Sequence, residues 1–391
     1  MSTILQTLFD NKPKALLIAV NIAAISSIVY YYTHTGKKTN TIPGPSGWPI
    51  VGDTDFYSYL FKFKAFEYHE KNINKYGPIF QTDGLAGNMV MVADAQEAKR
   101  ILTDTDTFIK GDELRSKMIG LLDNALFLLP SGDLWKKHSG KVAFGKSMQS
   151  VQSLNGKSNG SWDDLDAITS DVFAFRFGTH PWLYKLLGVH LTSPKVAKAK
   201  QEIYKFLDEL ADERLEKIRT KEVSQEKWDM DVLHRLLISL DKGILSKDEV
   251  YGELIGFFFA GHETTANSLT FLFMELSKNP EIREKLYQEV KDVDFESENL
   301  SESISKIKYL DNCLKEAMRL HSAVPNVLRT AAVDTTVGGY PIKKGQQIIL
   351  NFRGIHLSEK NYHNAREYNP DRWNQQAESK VFLPFGDGPH M

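Results

Sequence analysis

From Ala15 to Tyr32 the chain reads ALLIAVNIAAISSIVYYY, eighteen residues without a charge in which Asn21, Ser26 and Ser27 are the only strongly polar side chains. A helix rises about 1.5 Å per residue, so this run reaches roughly 27 Å, enough for a thin bilayer. Tyr30, Tyr31 and Tyr32 close it where interfacial aromatic residues belong. The run therefore predicts a single-pass membrane anchor over 15–32, behind a short flank over 1–14. A cleaved signal peptide is the competing reading. It fits less well, because bulky tyrosines stand where small residues should precede a cleavage site. Lys12 and Lys14 precede the run and Lys37 and Lys38 follow it, so flanking charge does not orient it.

Behind the run comes Ile42-Pro43-Gly44-Pro45-Ser46-Gly47-Trp48-Pro49-Ile50-Val51-Gly52. Proline fixes φ and glycine permits turns, which excludes a helix or a regular strand. We read 33–52 as a semi-rigid hinge leading to one large domain over 53–391. That domain is ordinary in composition, the whole chain being 42% hydrophobic and 25% charged over 391 residues. Lys and Arg number 48 against 50 Asp and Glu, so no global field favours nucleic acid as a partner. The single cysteine, Cys313, excludes an internal disulfide framework and a cysteine-based zinc site.

Within the domain, short strands are expected at Ile79–Gln81 and Met89–Val92, with a helix near Ala95–Leu102 and another beginning at Asp133–His138. A loop is expected from Ser147 to Trp162. Helical spacing marks Val196–Arg219, Lys247–Ser277, Pro280–Val290 and Tyr309–His321. Val333–Leu350 carries Gly338-Gly339 and Lys344-Gly345 between short apolar runs, which suggests hairpins. The fold class is therefore mainly α with a smaller β-sheet region, an α+β arrangement.

Four features carry possible chemistry. The longest helical run contains Ala260-Gly261-His262-Glu263-Thr264-Thr265, an acid beside hydroxyls inside an apolar helix. Such groups relay protons to a bound reactant or form a polar stripe facing solvent. A zinc-protease reading fails, because its second histidine would fall on Ala266. Glu316 and Arg319 share one helix face, and taken alone they form a surface ion pair worth a few tenths of a kcal/mol. Tyr368-Asn369-Pro370-Asp371-Arg372-Trp373 is a turn that sets an arginine beside an aromatic residue. Phe385-Gly386-Asp387-Gly388-Pro389-His390-Met391 is a glycine loop able to approach a planar ligand, without the strand–helix context of a dinucleotide site.

In this order, the four features resemble those of the cytochrome P450 monooxygenases, and the resemblance extends from the anchor to Met391. It implies a P450-like fold and a haem (iron protoporphyrin) cofactor. It also implies a haem-dependent oxidoreductase that inserts one oxygen atom of dioxygen into a lipophilic small molecule, with electrons from an NADPH-dependent reductase. In the family a cysteine thiolate holds the iron and favours O–O cleavage. That cysteine is expected immediately after Met391, where the sequence given stops, so no iron ligand is expected within 1–391 and the fold is expected to be incomplete at its C-terminal end. Cys313, three residues before Glu316, reads as a core residue instead.

The resemblance makes Thr264 and Glu263 the proton-delivering pair. Glu316, Arg319 and Arg372 become a buried structural network. Trp135, Arg329 and His390 become partners of the haem propionates, while Phe385 and Gly388 lie in the loop that tunes the sulfur. It implies an endoplasmic-reticulum membrane protein with its catalytic domain facing the cytosol. An inactive fragment or pseudogene product, or a membrane-tethered ligand-binding remnant of the fold, remains the alternative.

Overall fold

Gln347–Asn351 (β7) is apolar at Ile348, Ile349 and Leu350, as a central strand must be when both its faces are covered. It lies in the middle of a five-stranded sheet ordered β1-β2-β7-β4-β3, where β1 is Ile79–Gly84, β2 Gly87–Val92, β3 Phe108–Ile109 and β4 Asn326–Ala331. The β2–β7 pair is parallel and the other pairs are antiparallel. The computed structural model describes residues 42–45, 47, 52–61, 64–84, 87–111, 194–220, 232–293, 303–304, 307–374 and 381–388. The expected anchor at 15–32, the expected helix at Asp133–His138, the loop at Ser147–Trp162, Trp135 and His390 all lie outside those residues. Among the described residues no helix is long and apolar enough to cross a membrane.

The helices run α1 Thr54–Phe61, α2 Ala65–Tyr76, α3 Ala95–Thr103, α4 Pro194–Arg219, α5 Val232–Asp241, α6 Lys247–Lys278, α7 Pro280–Val290, α8 Lys308–Leu320 and α9 Phe352–His356, with a 3-10 turn at Pro370–Asn374. Helices dominate, as the sequence periodicity predicts. One expected pairing differs. Thr335–Val337 (β5) and Tyr340–Ile342 (β6) form a hairpin across Gly338 and Gly339, which take φ of 56° and 82°. The Lys344-Gly345 turn closes no second hairpin with β6; it feeds β7, which pairs with β4 and β2. Burial explains the choice, since Ile348 and Leu350 share one fully enclosed core with Val90, Val92 and Phe108.

Helix α6 joins two further cores. A capping box starts it: the Ser246 hydroxyl accepts from Glu249 N at 3.3 Å, and the Glu249 carboxylate accepts from Ser246 N at 2.7 Å. Pro280, at the first position of α7, follows its end. The N-terminal half of α6 packs Val250, Tyr251, Leu254 and Ile255 against α4 and α5. The C-terminal half packs Leu272 and Leu276 against α7 and α8. Between these cores, from 257 to 271, no described side chain of α6 is buried.

The Pro/Gly segment is docked where it is described. Ile42 joins the sheet core, and Pro43 O accepts from Gln81 N at 2.8 Å along the edge of β1. A Cβ on Gly44 would lie 2.0 Å from Gln81 O, so only glycine permits that approach. Gly44→Ala is expected to lower unfolding free energy by about 1–3 kcal/mol in urea titrations. An unchanged midpoint would show that the segment is not bound to the sheet in solution.

Candidate functional site

In the uncovered middle of α6, hydroxyl groups fold back onto their own helix. Thr264 Oγ1 donates to Ala260 O at 2.7 Å, and Ser268 Oγ donates to Thr264 O at 2.8 Å. Such back-bonds satisfy hydroxyls on an apolar helix. They can also bend or widen a helix, but α6 stays α-helical throughout. Thr264 and Glu263 are half-buried, Gly261 and Thr265 are exposed, and among the described residues nothing lies within 4 Å of where a Gly261 Cβ would sit. The motif therefore faces open space at the centre of the helix.

Glu316 and Arg319 are not on the surface. Both are 0% exposed on the inner face of α8. Glu316 Oε1 accepts from Arg319 Nη2 at 2.8 Å, Arg372 Nε at 2.8 Å and Asn369 N at 3.0 Å. Oε2 accepts from Arg319 Nε at 2.9 Å and Trp373 Nε1 at 3.0 Å. The remaining guanidinium donors reach main-chain oxygens: Arg319 Nη1 to His356 O and Ala365 O, and Arg372 Nη1 to His363 O. One carboxylate thus draws the turn at 369–373 onto α8.

The loop at 381–388 lies beside this network. Its Leu383 is buried in the sheet core. Gly386 and Gly388 take φ of 84° and 81°, and a Cβ on Gly388 would meet Leu102 O at 2.4 Å. The glycine at 388 is thus required by a close approach to the end of α3. Phe385 is 75% exposed. The Pro384-Phe385 turn carries it outward, and Phe382 takes the inner place, its ring 4.6 Å from Trp373 and 5.5 Å from His356.

Two cations sit at the β3–β4 edge. Arg329 is 4% exposed; among the described residues its Nη1 donates to the neighbouring Leu328 O, and its buried Nε has no partner. Burial pushes its guanidinium down to about 10. Lys110 follows β3, where Gly111 lets the chain cross tightly over Thr330. Burial first, and then the Arg329 cation, push the Lys110 ammonium down to about 8. Among the described residues no carboxylate forms an ion pair with either. Two half-desolvated cations side by side call for an anion.

Residues 137–391 match the family described as Cytochrome P450. The chain belongs to the cytochrome P450 family. Among its relatives, a 7,8-epoxymelianol synthase from Citrus sinensis is 24% identical over 412 residues, spanning 92% of this chain and 83% of that protein. A beta-amyrin 11-oxidase from Glycyrrhiza uralensis is 26% identical over 413 residues, spanning 93% and 83%. A mitochondrial 1,25-dihydroxyvitamin D(3) 24-hydroxylase from Rattus norvegicus is 38% identical over a shorter 152 residues, 38% of this chain and 29% of that protein.

P450 proteins are haem-iron monooxygenases that work with redox partners and lipophilic substrates, and the residues present fit that cofactor. The partnerless Arg329 Nε and the depressed Lys110 offer two cations to a group bearing two carboxylates, and Gly386 and Gly388 leave the loop without side chains at its closest approach. Cys313 does not fit an iron ligand. It is 0% exposed in the α8 core, and burial pushes its thiol up to about 11. Among the described residues no cluster of His, Cys, Asp and Glu forms a metal site.

Lys110, His356 and Phe382 escape a motif search. The only sequence signal for Lys110 was a cation before a glycine at the end of an apolar pair. We expect Glu316→Gln to cost about 3–5 kcal/mol in urea unfolding, since it leaves two arginines buried without a countercharge. On the same helix, Asp311→Asn removes only the exposed pair with Lys315 and should cost less than about 1 kcal/mol. Equal, small losses would contradict the buried network.

Proposed function

We propose that this P450 is a membrane-anchored haem-thiolate monooxygenase that inserts one oxygen atom of dioxygen into a lipophilic small molecule, with electrons from an NADPH-dependent reductase. The anchor is 15–32, placed in the endoplasmic reticulum with the domain facing the cytosol. The thiolate ligand belongs at the position after Met391, the place the family motif gives it. The observation that carries the reading is the neighbouring pair of buried Arg329 and partly buried Lys110, which has no carboxylate partner among the described residues.

When bound, haem supplies the activation of dioxygen and the oxidising power for insertion. The chain's own residues do the rest. Arg329 and Lys110 would hold the cofactor's carboxylates by charge-assisted bonds. Trp135 and His390 would add donors to the same carboxylates. Gly388 holds the loop against α3, and Phe385 and Gly386 form the turn that shapes its outer side. Thr264 keeps its hydroxyl proton on Ala260 O, which leaves the oxygen lone pairs free to accept from a donor in the open middle of α6. Opening of that bond lets the hydroxyl pass its own proton onward. Glu263, one residue earlier and half-buried, replaces the proton from the solvent side.

Titration of hemin into the full chain, followed by absorbance, tests the reading. Lys110 is charged below its lowered value of about 8, and a bound anion favours the charged form. Affinity should therefore be full below pH 8 and fall as pH rises above it. Arg329→Met should weaken binding by about tenfold or more, and Lys110→Met should remove the pH dependence. Hemin binding that ignores both substitutions would overturn the assignment.

A further inference from the structure

His356, the last residue of α9, touches both halves of the site. Its side chain is fully buried. Nε2 accepts the main-chain N–H of Leu383 at 3.0 Å. That donor fixes the tautomer: Nε2 is bare, so Nδ1 carries the proton and donates to Ser322 Oγ at 3.2 Å. Ser322 Oγ in turn donates to Met318 O, back on α8, at 3.3 Å. The main-chain oxygen of His356 meanwhile accepts from Arg319 Nη1 at 2.8 Å. One residue thus receives the Glu316-held guanidinium through its backbone and the first turn of the glycine loop through its ring.

Burial first, and then the Arg319 cation, keep the ring neutral. Arg319 from α8 is the charged group facing it, Tyr362 and Phe382 present rings at 6.5 and 5.5 Å, and among the described residues no carboxylate pairs with it. An imidazolium would point a second N–H at the Leu383 N–H. Leu383 is itself a fixed point, since its side chain is 2% exposed in the sheet core and its carbonyl accepts from Gly386 N at 3.3 Å.

We propose that His356 is a positioning residue, which sets Leu383 and thereby places the Gly386–Gly388 loop relative to the Glu316 network. The functional meaning of that placement rests on the haem reading; the placement itself does not. Three variants separate the roles. His356→Phe keeps an aromatic ring and removes the acceptor, leaving a buried N–H without a partner. His356→Gln carries an oxygen where Nε2 stood, and His356→Asn is one carbon too short to reach.

The measurement is amide hydrogen exchange over 381–388 and over α8 in the full chain, beside hemin titration. H356F should speed exchange in 381–388 by about tenfold while α8 keeps its protection, with hemin affinity falling in parallel, and H356Q should restore both. Equal loss of protection in α8 and the loop, or an unaltered loop, would overturn the proposal. If H356F does not fold, H356N against H356Q decides: faster loop exchange in H356N alone supports it, and equal exchange overturns it. A loop that responds as expected in a chain that binds no hemin even as wild type would support the positioning role and refute the haem reading.

Discussion

The structure depends on one buried carboxylate. Five N–H donors converge on the two oxygens of Glu316, from its own helix, from Asn369 and from the 3-10 turn that carries Arg372 and Trp373. A single anion cannot neutralise two guanidinium groups. The excess charge is spread over the main-chain oxygens of His356, His363, Ala365 and Glu367, which tie the irregular stretch after α9 to α8. A buried group of this kind adds little net stability over an apolar packing. It does specify one arrangement, because any other leaves charges unpaired.

From that anchor point the site follows. α8 packs on the C-terminal half of α6, so the open middle of α6 is held at a set place relative to the turn at 369–373. Phe382 packs tilted against Trp373, and Leu383 hangs from His356, so the glycine loop inherits its position from the same network. On the other side, the sheet presents Arg329 and Lys110. Hydroxyls on a long helix, a close-approach loop and two cations awaiting an anion are what a large planar dianionic cofactor requires of its host.

Much of this was legible in the residues, and what was not has physical causes. Pro280–Val290 is read correctly to the residue because proline fixes its start and the apolar spacing its length. The Glu316–Arg319 spacing identifies a pair but not its depth: an i,i+3 pair looks the same on an exposed face, and only Arg372 and Trp373, more than fifty residues on, bury it. The destination of β7 is a long-range pairing that no local turn encodes. Nor does the sequence say which of Phe382 and Phe385 packs on Trp373, since the two are equally hydrophobic and only the turn between them decides. A cation before a glycine says little of Lys110 until β3 sets it beside Arg329.

The most direct test of the central claim is hydrogen exchange of the Trp373 indole N–H, followed by NMR in rising urea. If Glu316 holds the turn to α8 as described, that proton should open with the same free energy and urea dependence as the most protected amides of α8. Exchange through a much cheaper opening, insensitive to urea, would show the turn swinging free of the carboxylate and would contradict the account.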